Sequence, residues 1–129
     1  MTEPVWLDKD LILALYEDIV AATGGAVGVR DEGLLESALA RPQNRFAYEQ
    51  VGDLLEIAAT YAVGIAMNHP FVDGNKRVAF MALGQFLLDN RVILTASDEE
   101  ATEVMLSVAQ GQTDIEALTT WLRRLSMAL

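Results

Sequence analysis

Residues 54–88 read LLEIAATYAVGIAM, then NHPFVDGNKR, then VAFMALGQFLL, and this stretch decides the fold. From Leu54 to Met67 and from Val78 to Leu88 almost every helical face is apolar, and a helix that is hydrophobic all round is buried rather than amphipathic. Two such helices predict the centre of a domain. They should pack on each other, with Ala58, Ala59, Ala62, Gly64, Ala79, Ala82 and Gly84 allowing close approach. Between them, Asn68 to Arg77 concentrate polar and charged groups where the chain is otherwise most buried. Neither helix is expected to cross a membrane: the longest apolar run, Ile57 to Met67, has eleven residues, against about 20 for a bilayer.

Outward from this centre the pattern stays helical. Asp8 is placed to cap a helix carrying Leu11, Leu15 and Ile19 on one face, and Gly24-Gly25 stops it. The run Gly24-Gly25-Ala26-Val27-Gly28 lacks the lysine and the glycine spacing of a phosphate-binding loop, so it reads as a structural turn. A second helix with Leu34, Leu35, Ala38 and Leu39 should end before Pro42, because the residue preceding proline is pushed out of the helical region. Gln43 to Gln50 has no clear period and reads as loop or short extended structure. Arg30 and Asp31 either line the mouth of a site or cap the second helix, and capping is the simpler reading. Val92 to Leu94 predicts a brief strand. Ser97 or Asp98 caps a further helix with Val104, Leu106 and Val108, ended by Gly111; Thr113 or Asp114 starts the last, with Ile115, Leu118, Leu122 and Leu125 on one stripe. The expectation is an all-α fold, a compact bundle of about six helices forming one domain over residues 1–129.

Composition narrows the function. Hydrophobic residues make up 52% of the 129, too many for a disordered chain, and the length suits one domain. Nine Lys plus Arg stand against nineteen Asp plus Glu, a formal net charge of -10. A nucleic-acid surface needs the opposite balance, so no direct nucleic-acid partner is expected. Any phosphate must be met by a few cations gathered locally. The absence of cysteine excludes a disulfide scaffold, a thiolate zinc site and a cysteine nucleophile. Met1-Thr2-Glu3-Pro4 carries no basic n-region or apolar core of a signal peptide, and the expectation is a cytoplasmic protein. The chain has a single histidine.

That histidine lies in the polar interruption. Pro70 removes an amide donor and restricts its predecessor, which places His69 at or just beyond the end of the first buried helix. Asp73 is a candidate N-cap for the second, with Gly74 and Asn75 in its first turn. Lys76 and Arg77 then fall in that same turn, where the helix dipole disfavours cations by roughly 0.3–1 kcal/mol each. Two cations beside free backbone amides make sense if an anion binds there. His69 is suited to accept a proton from a hydroxyl at neutral pH, and Asp73 offers the hard oxygen that holds Mg2+ on substrate phosphates. Base, metal ligand and anion cradle together describe phosphoryl or nucleotidyl transfer. Phe71 would be the apolar peg that anchors the loop.

At these residues, His69-Pro70-Phe71-Val72-Asp73-Gly74-Asn75-Lys76-Arg77, the sequence closely resembles the Fic/Doc family motif. Lysine at Lys76, where adenylyl-transferring Fic enzymes have glycine, is similar to the Doc branch, the death-on-curing toxins. The likeness extends to Gly24-Gly25, Asp31 with Gly33, Ala47-Tyr48-Glu49, Asp53-Leu54, Ala59-Thr60-Tyr61 and Leu122-Arg123-Arg124-Leu125. The resemblance implies His69 as general base, Asp73 as ligand of Mg2+, and Asn75, Lys76 and Arg77 with the Gly74 amide holding the phosphates of ATP. It implies a toxin that phosphorylates a threonine of elongation factor Tu and stops translation, neutralised by a Phd-like antitoxin. Gly74 departs from the best-known Doc sequence, which has alanine there, and matches Fic enzymes, so AMP transfer to a protein hydroxyl is the alternative. No Ser/Thr-x-x-x-Glu-Gly/Asn inhibitory helix is found, consistent with inhibition by a separate protein.

Two other classes compete. An all-helical group of ribonucleases pairs arginine with histidine four to six residues later, but the nearest upstream arginine here is Arg45. A non-catalytic binding module would keep the motif only as a contact surface, and an intact His69 and Asp73 count against it.

Overall fold

In the computed structural model, which describes residues 2–25 and 27–129, the two apolar segments are the helices at the centre. Met1 and the Ala26 of the glycine-rich run lie outside the described residues. The Asp53 carboxylate accepts from the Leu55 amide and starts Leu54–Asn68 (α3), and from Ile57 to Ala66 only Val63 escapes full burial. Asn75–Asp89 (α4) follows after a short loop. α3 touches α4 and the helices Glu32–Glu49 (α2), Asp98–Ala109 (α5) and Ile115–Arg124 (α6), while Lys9–Thr23 (α1) packs on α4. The mostly α architecture with six helices is the one expected.

The details differ where packing overrides pattern. Gly64 does not serve the α3–α4 contact: a Cβ there would meet the Ala38 Cβ of α2 at 3.4 Å. Gly84 similarly faces Leu94. α4 is less buried than its composition suggests, leaving Met81 and Leu88 about half exposed in addition to Lys76 and Arg77. α1 buries Ile12, Tyr16 and Val20, one residue round from the expected stripe of Leu11, Leu15 and Ile19, which are only partly covered. A stripe several residues wide fixes a helix's face only to within that shift.

The larger correction is Pro42, which lies inside α2 rather than after its end. Its missing amide forfeits one intrahelical bond and costs about 3 kcal/mol in a helix interior. Tertiary contacts beyond it offset this. Pro42 is itself buried, Phe46 meets Trp6 edge-on at 5.5 Å, and Arg45 bonds Thr60 Oγ1 and the Glu56 carboxylate at 2.7 Å each. Gln43 to Glu49 are therefore helical, and Gln50 ends the helix at φ 58°.

Val92–Leu94 (β1) is the expected strand, and its partner is Ser126–Ala128 (β2), antiparallel with Val92 opposite Ala128. The sequence gives no period for three residues after a helix, and Leu125, expected on the last stripe, instead caps α6. No described helix is long and apolar enough to cross a membrane.

Candidate active site

The loop between α3 and α4 is built from its two ends. α3 closes at Asn68, and His69 caps it with φ 54° and ψ 53°, its amide on the Ile65 carbonyl at 3.1 Å. The left-handed region costs a non-glycine residue roughly 1–2 kcal/mol. Two residues on, Phe71 is fully buried and stacks on Tyr16 with ring centroids 4.2 Å apart, as expected of a peg. The imidazole stays exposed while its neighbours Pro70 and Phe71 go inward.

The start of α4 departs from expectation. Gly74, not Asp73, is the N-cap; it adopts φ 81° and makes no side-chain cap bond. The sharp turn out of the buried Phe71 needs a left-handed residue, which glycine supplies without penalty. Asp73 turns its Oδ1 onto the neighbouring Gly74 amide at 2.8 Å instead, so it does not cap the second or third amide as N-caps do. Asn75 is 4% exposed, and its side chain accepts from the Phe71 amide and donates to the Phe71 carbonyl, both at 2.9 Å. What Asn75 can offer a ligand is therefore chiefly its backbone N–H. The amides of Asn75, Lys76 and Arg77 have no intrahelical acceptor; the ladder begins with Val78 on the Gly74 carbonyl at 3.0 Å. Lys76 and Arg77 are exposed, and among the described residues neither forms an ion pair.

Among the described residues nothing hydrogen-bonds the Asp73 Oδ2, which lies close to Gly25, where a Cβ would come within 3.0 Å of that oxygen. Among the described residues no three His, Cys, Asp or Glu side chains gather to cage a metal. One free carboxylate next to an anion site fits Mg2+, which takes one or two protein carboxylates and draws its other ligands from phosphates and water.

The segment before α2 holds the loop through contacts that no local pattern announces. Gly28 to Asp31 runs antiparallel to the loop: Val29 bridges Phe71, the Val72 amide bonds the Gly28 carbonyl at 3.0 Å, and the Arg30 and Asp31 amides bond the Pro70 carbonyl at 2.7 and 3.1 Å. Asp31 caps α2 through the Leu34 amide, as anticipated. Arg30 caps a different helix. Its Nε donates to the His69 carbonyl at 2.7 Å and its Nη2 to the Asn68 carbonyl at 2.9 Å. Nothing in the sequence signals a contact across 39 positions; only the strand-like pairing reveals it. A cleft of about 620 Å³ lies elsewhere, lined by Arg41, Arg45, Glu56, Asp114 and Arg123 among others. Several of its charges already pair, Arg45 with Glu56 and Arg123 with Asp53, so its volume does not make it the reaction site.

A sequence model of the Fic/DOC family matches residues 6–87. The chain is 37% identical over 119 residues to the protein kinase doc of Escherichia phage P1, covering 92% of this chain and 94% of that protein. It is also 37% identical over 121 residues to the Toxin Doc of Mycolicibacterium smegmatis, covering 92% of this chain and 89% of that protein.

Proposed function

The chain belongs to the Fic/DOC family, and on that premise we propose that it is the toxin of a toxin–antitoxin pair and a protein kinase. Its reaction is transfer of the ATP gamma-phosphate to a threonine of elongation factor Tu in the cytoplasm, which inhibits translation until a Phd-like antitoxin binds the toxin. The relatives' names support a toxin and a kinase. The observation that carries the chemistry is the start of α4. It has no side-chain cap, and among the described residues Lys76 and Arg77 form no ion pair and stand beside three amides without intrahelical acceptors. Such an end attracts an anion with two to three negative charges and holds it by backbone and side chain together.

In this reading Lys76, Arg77 and the amides of Asn75, Lys76 and Arg77 hold the phosphates, the Gly74 amide being taken by Asp73, while Asp73 would hold Mg2+, whose charge would offset theirs. His69 takes the proton of the target hydroxyl. That oxygen bonds to the gamma phosphorus, the bond from the phosphorus to the bridging oxygen breaks, and ADP remains on α4. A general base of this kind contributes typically 10²- to 10⁴-fold, so His69→Ala should lose transfer by about that factor. AMP transfer is the competing reading. Its sequence argument was glycine at Gly74, and the left-handed turn accounts for that glycine whichever phosphorus is attacked.

The test is incubation with elongation factor Tu and ATP labelled at the gamma or the alpha position. Gamma label on the factor, lost with His69→Ala, supports the kinase. Alpha label replaces it with AMP transfer, and transfer of neither label to the factor or to any lysate protein leaves a binding module.

A further inference from the structure

We infer that Arg30 is a positioning residue for His69, acting through the histidine's own backbone. The inference rests on the reading of His69 as the base. His69 sits at φ 54° and ψ 53° at the end of α3, a position where stability favours glycine or asparagine. Such a conformation in another residue persists where the surroundings over-determine it, and it is found where strain serves a site. Here the peptide groups on both sides are fixed from outside the loop. The Arg30 guanidinium spans the Asn68 and His69 carbonyls, and the Arg30 and Asp31 amides take the Pro70 carbonyl. The Asn68 side chain is tied in turn to the Leu34 carbonyl at 3.0 Å.

Arg30 is placed as firmly as what it holds. Val29 bridges Phe71, and the Gly28 amide bonds the hydroxyl of Tyr16, whose ring stacks on Phe71. Among the described residues Arg30 makes no ion pair, and its side-chain bonds go to these two carbonyls. Its side chain is exposed, so it adds little by burial. A planar guanidinium presents Nε–H and Nη–H in a fixed fork, which fixes the relative tilt of two neighbouring carbonyls; an ammonium cannot. The tilt of those peptides sets the direction in which the Cβ of His69 leaves the chain, and hence where its ring stands relative to the start of α4. A misplacement of about 1 Å in such a group can lower a rate by roughly 10²-fold.

The single histidine makes this measurable without a substrate. In a spectrum of imidazole carbon–proton pairs the ring signal, one Cδ2–H and one Cε1–H pair, belongs to His69 alone. In Arg30→Ala that signal should shift or broaden while amide resonances outside the loop and the 28–31 segment stay in place; Arg30→Lys should show the same change to a lesser degree. In transfer from ATP to elongation factor Tu, Arg30→Ala should lose kcat by about 10- to 100-fold with KM for ATP changed less than about twofold, because the amides of α4 are untouched. Millimolar methylguanidinium should restore part of kcat to Arg30→Ala and none to His69→Ala. An unchanged ring signal in both variants overturns the inference, whether or not the protein transfers phosphate. So does a shift spread over the whole amide spectrum in both variants, which marks an ordinary structural cap. If the ring signal responds as stated and neither protein transfers any label, the positioning contact stands and it is the kinase reading that fails.

Discussion

α4 and α5 begin in opposite ways. α5 carries a reciprocal capping box, Ser97 taking the Glu100 amide at 3.1 Å and the Glu100 carboxylate taking the Ser97 amide at 3.0 Å, with Asp98, Glu99 and Glu100 all in its first turn. Every donor choice there favours the helix. α4 begins with a bare glycine, no acid, and two cations. The other four helices each have an aspartate cap, so α4 alone among the described helices begins without a side-chain cap bond. A first turn built for stability and one open to an anion call for opposite residues, and α5 and α4 carry the two sets.

The comparison breaks most visibly at Asn75. α4 has no side-chain cap bond, yet its first residue is tied backward, with the buried amide side chain closing both the N–H and C=O of Phe71. Asn75→Ala leaves these two groups buried without partners, at about 1–3 kcal/mol for each such group. The expected loss is roughly 2–6 kcal/mol, read as a lower urea midpoint with an unchanged slope, and phosphate transfer should fall with it as the loop loosens. A loss below about 1 kcal/mol together with abolished nucleotide binding would show instead that the side chain serves the ligand.

This double role explains which parts of the molecule the sequence disclosed. The two apolar helices and the cations of Lys76 and Arg77 are legible because each depends on composition within one helical span, and the peg Phe71 because it is the one aromatic in the polar loop between them. The N-cap was misplaced because Asp73 and Gly74 both suit the position by residue type. What decided between them was the left-handed turn that follows a buried Phe71, a tertiary constraint. Pro42 misled for the same reason: its local preference is real, and contacts from Phe46 and Arg45 outweigh it. Arg30 was visible as a candidate but assigned to the wrong helix, since only the pairing of residues 28–31 with the loop brings it to α3.

Making α4 resemble α5 should sharpen the contrast. Lys76→Glu removes a cation from the first turn and adds an acid, each worth about 0.3–1 kcal/mol at an exposed helix end. The variant should be more stable than the natural chain by roughly 0.6–2 kcal/mol and bind ATP far more weakly. Paired melting and nucleotide-titration curves check both at once. A variant that is destabilised, or that binds ATP unchanged, would mean that Lys76 is held by the fold and not kept for an anion. The reverse test is smaller. Ser97→Ala removes an ordinary cap and should cost about 1 kcal/mol, with kcat and KM for ATP unchanged, because nothing at α5 touches the loop between α3 and α4.

The smallest effect separates the two ends by pH alone. The Glu100 carboxyl is held below its ordinary value, first by the Ser97 amide that donates to it, then by the Ser97 side chain. A carboxyl whose value is lowered by folding stabilises the folded form above its unfolded value, about 4.3 for glutamate, and that contribution is lost as pH falls through the lowered folded value. α5 should therefore fray from its first turn on acidification below that unfolded value. Amide exchange at Glu99, Glu100 and Ala101 should rise there ahead of exchange in α3, and Glu100→Gln should flatten the response, because a neutral amide still accepts the Ser97 N–H but no longer titrates. The first turn of α4 has no carboxylate inside it and should show no such step of its own. A matching acid step at Lys76 and Arg77 would mean that its amides are already occupied by an acidic group of the protein, and the open anion site at the heart of the proposed reaction would be lost.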